Sequence, residues 1–123
     1  MNTPMSDLCL LSVTQLTTGF ASGEISPVDA TQAALAAVER HDADVNAMVL
    51  LDPGAALESA RAAERRWRDS RPLGPVDGVP TTIKDILLTR GWPTLRGSNL
   101  VSADGPWTED APASRGCAKR AAC

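Results

Sequence analysis

The sequence predicts an α/β fold, and three of its features lead to this prediction. Apolar residues recur at helical spacing through much of positions 8–71. Two short runs, 45–51 and 79–84, have the composition of β-strands. Glycine and proline become frequent after Pro72, which is typical of loops. We therefore expect N-terminal helices followed by the first strands of a mixed sheet.

Composition limits the classes of protein that this chain can belong to. Its 123 residues are 43% hydrophobic and 22% charged, as in a single globular domain. A net charge of −3 gives no whole-chain attraction to nucleic acid or to an anionic membrane. Positions 1–20 carry neither a basic start nor a long apolar run, so no signal peptide or membrane span is predicted. We expect a cytoplasmic protein with a small-molecule partner, and leave its oligomeric state open.

The cysteines and the one histidine do not predict a metal site. Cys9, Cys117 and Cys123 lack the spacing of metal ligands, and His41 alone cannot complete a zinc set. We expect His41 at the C-terminal end of a helix, where partial positive charge is favourable. The sequence therefore predicts no metal and no cofactor.

Two helices are predicted before position 45. The first has its N-cap at Ser12 or Thr14 and ends at Gly23, which can adopt the left-handed conformation. The second begins at Ser26, whose hydroxyl can accept from free backbone amides, while Pro27 suits the first helical position. Both boundaries follow from local capping chemistry.

A third helix is predicted from about Ala56 to Ser70, with small apolar residues on one face and charged pairs on the other. Its arginines could be taken for an RNA-binding strip around Trp67. Acidic residues interrupt that strip, so we interpret it as a solvated helix face. The arginines are Arg61, Arg65, Arg66, Arg68 and Arg71, and the acidic residues are Glu58, Glu64 and Asp69.

Lys84 ends the second β-type run and is the candidate site residue. Alternation along the run places Lys84 away from the face that carries Ile83. By periodicity alone, a lysine at a strand end is more often a solvent-facing charge than a catalyst. Asp85 points to the opposite face and is expected to be structural. The preceding pair, Asp77 and Gly78, is predicted to form a structural turn.

Three motifs in order carry a family resemblance: GPVDGVPTTIKD at 74–85, TRGWPTLRGS at 89–98 and WTEDAPA at 107–113. Together they closely resemble the N-terminal part of the amidase signature family. The resemblance covers about residues 8–113 and is most specific at 74–85. It implies the mixed-sheet amidase signature fold in incomplete form, with a helical region at about 8–71 and a loop-strand segment at about 72–113.

The resemblance also implies a chemistry. In this family a lysine at this place serves a Ser/cis-Ser/Lys triad, in which one serine attacks an amide carbonyl and the second relays its proton. Lys84 would be the base, and its pKa would have to fall from about 10.4 to about 7 through burial or a nearby cation. An exposed Lys84 could not meet this condition. The family's serines lie in a later Gly/Ser-rich stretch that nothing here matches, and a dyad of Ser98 with Lys84 lacks an oxyanion-donor motif.

The function implied by the resemblance is that of an amidase, which hydrolyses the carbon–nitrogen bond of a small carboxamide without a cofactor. This chain alone is expected to be inactive, because both catalytic serines are missing. The first alternative is the glutaminase (A) subunit of a tRNA-dependent amidotransferase, which uses the same chemistry. The second is a non-catalytic fragment or interaction module.

The tail at 114–123 departs from the family, which has an amphipathic helix and then a strand here. The tail carries no apolar helical stripe. One permitted set of codons for Ala113 to Cys123 encodes QSRLREAGGV when it is read two bases later, and that string has the expected pattern. We therefore expect a truncation, for which a frameshift after about Ala113 is one explanation, and sequencing of the DNA tests it.

Overall fold

The computed structural model describes residues 5–120, and that part contains five helices. The first four residues and the last three, including Cys123, lie outside the described residues. Helix α3 packs against α4, while α1 packs against α3 and α2 against α4. None of the helices described is long and apolar enough to cross a membrane. Their bounds are α1 Met5–Leu8, α2 Val13–Ser22, α3 Pro27–Val45, α4 Pro53–Arg68 and α5 Pro112–Arg120.

The predicted starts of the first two long helices are confirmed. Ser12 caps α2, because its hydroxyl accepts from the backbone N–H of Gln15 at 3.3 Å. Ser26 caps α3 in the same way, accepting from the N–H of Asp29 at 2.9 Å. Gly23 ends α2 at a φ of 78°, as expected of a glycine C-cap. The helical layer is thus specified by local sequence.

The strand predicted at 45–51 is wrong. Helix α3 continues past His41 to Val45, and Asn46 ends it in the left-handed conformation. The residues that follow are in neither a helix nor a strand, and Val49 is 71% exposed. Extended chain becomes a strand only when a neighbouring segment satisfies its backbone groups, and no segment between residues 5 and 120 does so here.

The strand predicted at 79–84 is not formed either. The described residues form isolated bridges only, one of them between Thr89 and Trp92, and no strand. Residues 80–84 have no regular secondary structure and no hydrogen-bonded neighbour strand among the described residues. The helices of the expected α/β fold are therefore confirmed, while its strands are not shown in the described residues.

The core lies between the helices and the segment that follows them. Leu16 and Phe20 of α2 are buried with Ala30 of α3, and Val79 packs against this cluster. The rings of Phe20 and Trp67 have centroids 6.1 Å apart and are tilted by 58°, a favourable aromatic geometry. The face predicted for the third helix is confirmed, since its core-facing alanines, Ala60 and Ala63, are fully buried.

Candidate active site

A half-open cavity of about 1080 Å³ is lined by residues of α3, by residues 47–52 and by residues within 80–97. Leu35 and Val38 of α3 provide an apolar part of its lining, and Lys84 belongs to the loop-derived part. Its lining is mostly apolar with a few polar and charged groups, a composition that ligand-binding sites share. The candidate site therefore includes the segment that carries Lys84.

The turn before this segment is clamped to α4 by an ion pair. Arg66 donates from Nε to Oδ2 of Asp77 at 2.8 Å and from Nη2 to Oδ1 at 2.6 Å. The indole N–H of Trp67 donates to the Asp77 carbonyl at 2.8 Å, and the backbone N–H of Leu73 donates to Oδ2 at 3.0 Å. Asp77 is completely buried, whereas the Arg66 side chain is 27% exposed. Two consecutive residues of α4 thus hold one turn.

Both members of this pair remain charged at neutral pH. Burial raises the pKa of Asp77, but hydrogen bonds from Arg66 and from the N–H groups of Leu73 and Gly78 outweigh it, and the pKa falls below its ordinary value. The hydrogen bond to Asp77 in turn raises the pKa of Arg66. The clamp is therefore a fully ionised pair at a buried position.

This shift predicts a loss of stability in acid. Because the pKa of Asp77 is below its ordinary value of 3.8, the carboxylate stabilises the fold above that pH, and this contribution disappears as the pH falls through the folded-state pKa. Urea unfolding of the chain and of the Asp77→Asn variant, followed from pH 7 to below pH 3, measures it. The free energy of unfolding should fall more steeply below about pH 4 in the unchanged chain. If the free energies of unfolding of the two chains changed in parallel with pH, the lowered pKa of Asp77 would be contradicted.

The interpretation of Arg66 as part of a solvated helix face is wrong. Arg61, Arg65, Arg68 and Arg71 are exposed, as predicted, but Arg66 is half-buried against Asp77. The partner lies eleven residues along the chain, so helical periodicity gave no sign of it. The informative signal was the motif itself, in which an aspartate precedes a glycine that packs closely on the side chains of Pro27 and Ala63.

Gly78 occupies a position that no other residue fits without strain. Its φ is 84°, and a Cβ there would lie 2.8 Å from Cγ of Pro27 and 3.2 Å from Cβ of Ala63. The turn consequently rests on the first residue of α3 and on the buried face of α4. The structural role predicted for Asp77 and Gly78 is confirmed, with close approach to both helices as its main reason.

Lys84 lies at the end of the clamped segment and is exposed. Its carbonyl accepts from the N–H of Ile86 at 2.7 Å and from that of Leu87 at 3.0 Å, which fixes the turn after it. Lys84 is also one of the residues that line the cavity. The burial that a catalytic amine requires is not supplied by residues 5–120.

Asp85, the residue after Lys84, fixes a second turn. Its Oδ1 accepts from the N–H of Leu95 at 2.9 Å, and its Oδ2 accepts from that of Gly97 at 3.1 Å. The structural role expected for Asp85 is confirmed. Ser98 closes this turn, and its hydroxyl accepts from the N–H of Leu100 at 3.2 Å and not from Lys84.

The third motif folds back on the second. The N–H of Gly91 donates to the carbonyl of Trp107 at 2.8 Å, and the N–H of Arg90 donates to Oδ1 of Asp110 at 2.7 Å. The chain continues from there into α5, so the tail is helical as far as it is described. Hydrogen bonds therefore link the first motif to the second and the second to the third.

The lysine-bearing segment is thus held against the helical layer at the border of a large cavity. Residues 29–113 match the sequence model of the amidase family, described as Amidase. The chain belongs to the amidase family.

Three comparisons illustrate this membership. The A subunit of glutamyl-tRNA(Gln) amidotransferase from Chloroflexus aurantiacus is 40% identical over 102 residues, covering 83% of this chain and 21% of that protein. The protein of the same name from Streptomyces coelicolor is 39% identical over 97 residues, which are 79% of this chain and 20% of that one. A solved inhibitor-bound structure, from work on a vestigial protein complex and the origins of an s-triazine catabolic enzyme, has a TM-score of 0.81. It is 28% identical, with 91% of this chain and 25% of that one covered.

Proposed function

We propose that residues 29–113 form the lysine-bearing part of an amidase, which hydrolyses the carbon–nitrogen bond of a carboxamide. The observation that supports this is the place of Lys84, on the lining of a cavity of about 1080 Å³ and at the end of a segment clamped through Asp77. The chain spans about a fifth of the length of the curated relatives it matches. In the proposed enzyme the remaining walls and both serines come from the length that this chain does not cover.

In this mechanism Lys84 moves protons and makes no bond to the substrate. Its neutral amine accepts the proton of the bridging serine, which takes the proton of the attacking serine as that oxygen adds to the amide carbonyl. The proton then passes back to the departing nitrogen, which leaves as an amine or ammonia. Water hydrolyses the acyl-serine by the reverse relay. No metal or organic cofactor enters these steps, and the present chain alone is expected to be inactive.

A second candidate function is that of a glutaminase subunit. The names of the relatives from Chloroflexus and Streptomyces support it, since both are the A subunit of an amidotransferase that acts on a glutamyl-tRNA. The small amide substrate would then be glutamine, and the protein would work with other subunits on a tRNA-linked substrate. If this candidate is correct, the expectation that the protein has no nucleic-acid partner is wrong.

Completing the site tests the proposal. Residues 1–113 would be joined to the remaining length of the Chloroflexus aurantiacus relative, and ammonia release would be measured with propionamide and with glutamine. The 123-residue chain should release none, and the chimera should release ammonia in proportion to its concentration. Turnover by the short chain, or a folded chimera without turnover, would contradict the proposal. A strong preference for glutamine favours the second candidate.

A further inference from the structure

The turn at 95–98 carries an arginine in an unusual backbone conformation. Arg96 has a φ of 57° and Gly97 a φ of 66°, so the two central residues are both left-handed. This region suits glycine and strains a residue with a side chain, and such strain persists only where surrounding contacts enforce it. The two hydrogen bonds from the turn to Asp85 supply that enforcement. The backbone at Arg96 is thus held at the cavity, on whose lining this exposed residue lies.

The charges around the cavity leave this guanidinium unpaired. Of the charged residues on the lining, Asp52 accepts from the N–H of Ala55 at 2.9 Å, and Asp85 accepts two backbone N–H groups. The ion pairs found in the described residues are Arg66 with Asp77 and Arg68 with Glu64, so neither carboxylate of the lining forms an ion pair with Arg96. A planar group with several free donors therefore borders the cavity together with Lys84.

We propose that Arg96 binds a carboxylate on the substrate, so that the amides taken by this site also carry a carboxylate group. A guanidinium matches the two oxygens of a carboxylate with two parallel donors, which gives orientation as well as affinity. The amide end would then face the Lys84 part of the same cavity. This inference rests on the proposed amidase function and adds the chemical class of its substrate.

Binding to the 123-residue chain tests the inference without any turnover. The probes are succinamate, which has one amide and one carboxylate, and succinamide, in which a second amide replaces the carboxylate. Two-dimensional NMR titrations at matched ionic strength, followed at the N–H of Gly97, would give both Kd values. We expect succinamate to bind at least about 5-fold more tightly than succinamide, the range of a partly solvated charged hydrogen bond.

Two variants test the assignment to Arg96. Arg96→Gly suits a φ of 57° and so preserves the turn, and it should abolish the preference for succinamate. Arg90→Ala, which removes an exposed arginine that is not on the lining, should leave the preference unchanged. The inference is overturned if the chain shows no preference or no binding, if Arg96→Gly retains the preference, or if Arg90→Ala removes it. None of these results affects turnover by the chimera, so the amidase proposal stands or fails separately.

Discussion

Replacing Arg66 by alanine should lower the free energy of unfolding by about 3 to 5 kcal/mol, the range for breaking a buried ion pair from one side. The reason is that the buried Asp77 carboxylate would lose its guanidinium partner. Asp77 has no exposed surface and would keep the backbone donors of Leu73 and Gly78 but lose both guanidinium bonds. Since small domains have only about 5 to 15 kcal/mol of stability, this one change would remove a large share of it.

The neighbouring arginine provides the control for this experiment. Arg65 is on the same helix and exposed, and no acidic side chain in the described part of the chain pairs with it. Arg65→Ala should change the free energy of unfolding by less than about 0.5 kcal/mol. Urea unfolding followed by circular dichroism measures both variants. Equal costs for Arg65 and Arg66 would show that the clamp contributes no more than a surface charge.

Gly78→Ala should cost about 2 to 5 kcal/mol, as the sum of two effects. A φ of 84° strains a residue with a Cβ by about 1 to 2 kcal/mol. The new methyl group would also lie 2.8 Å from Cγ of Pro27, so the turn must move off the helices at a further cost of about 1 to 3 kcal/mol.

Gly91 separates these two effects. It has the same φ of 84°, but nothing lies within 4 Å of the position of its Cβ. Gly91→Ala should therefore show the backbone strain alone, about 1 to 2 kcal/mol. The difference between the two variants, measured by urea unfolding, is the packing cost of the turn on α3 and α4. If Gly91→Ala cost as much as Gly78→Ala, the close approach to Pro27 would have no energetic weight.

The helical layer was predictable because its signals are local. A serine followed three residues later by a side chain that returns the hydrogen bond defines the starts of α2 and α3, and Gly23 defines the end of α2. The small residues of α4 likewise indicated its buried face. None of these features requires knowledge of a distant residue, so periodicity and capping chemistry were sufficient.

Strand formation and the Arg66–Asp77 clamp both depend on residues far apart in the sequence. Periodicity therefore predicted two strands that do not form and gave no sign of the clamp. The runs at 45–51 and 79–84 have β-type composition, yet neither becomes a strand without a hydrogen-bonding neighbour. Arg66 has the spacing of a solvated residue, and only the fold shows that Asp77 lies against it. For Lys84, the residues alone favoured a surface charge, and the family resemblance supplied the catalytic interpretation.

The most direct test of the catalytic assignment is the turnover number of the chimera with and without the amine at position 84. Lys84→Ala should lower kcat by about 100- to 10,000-fold, the usual contribution of an acid–base group. Arg90→Ala, an exposed change in the next motif, should leave kcat within about 3-fold as a surface substitution. A Lys84→Ala chimera with undiminished kcat would contradict the role proposed for this lysine.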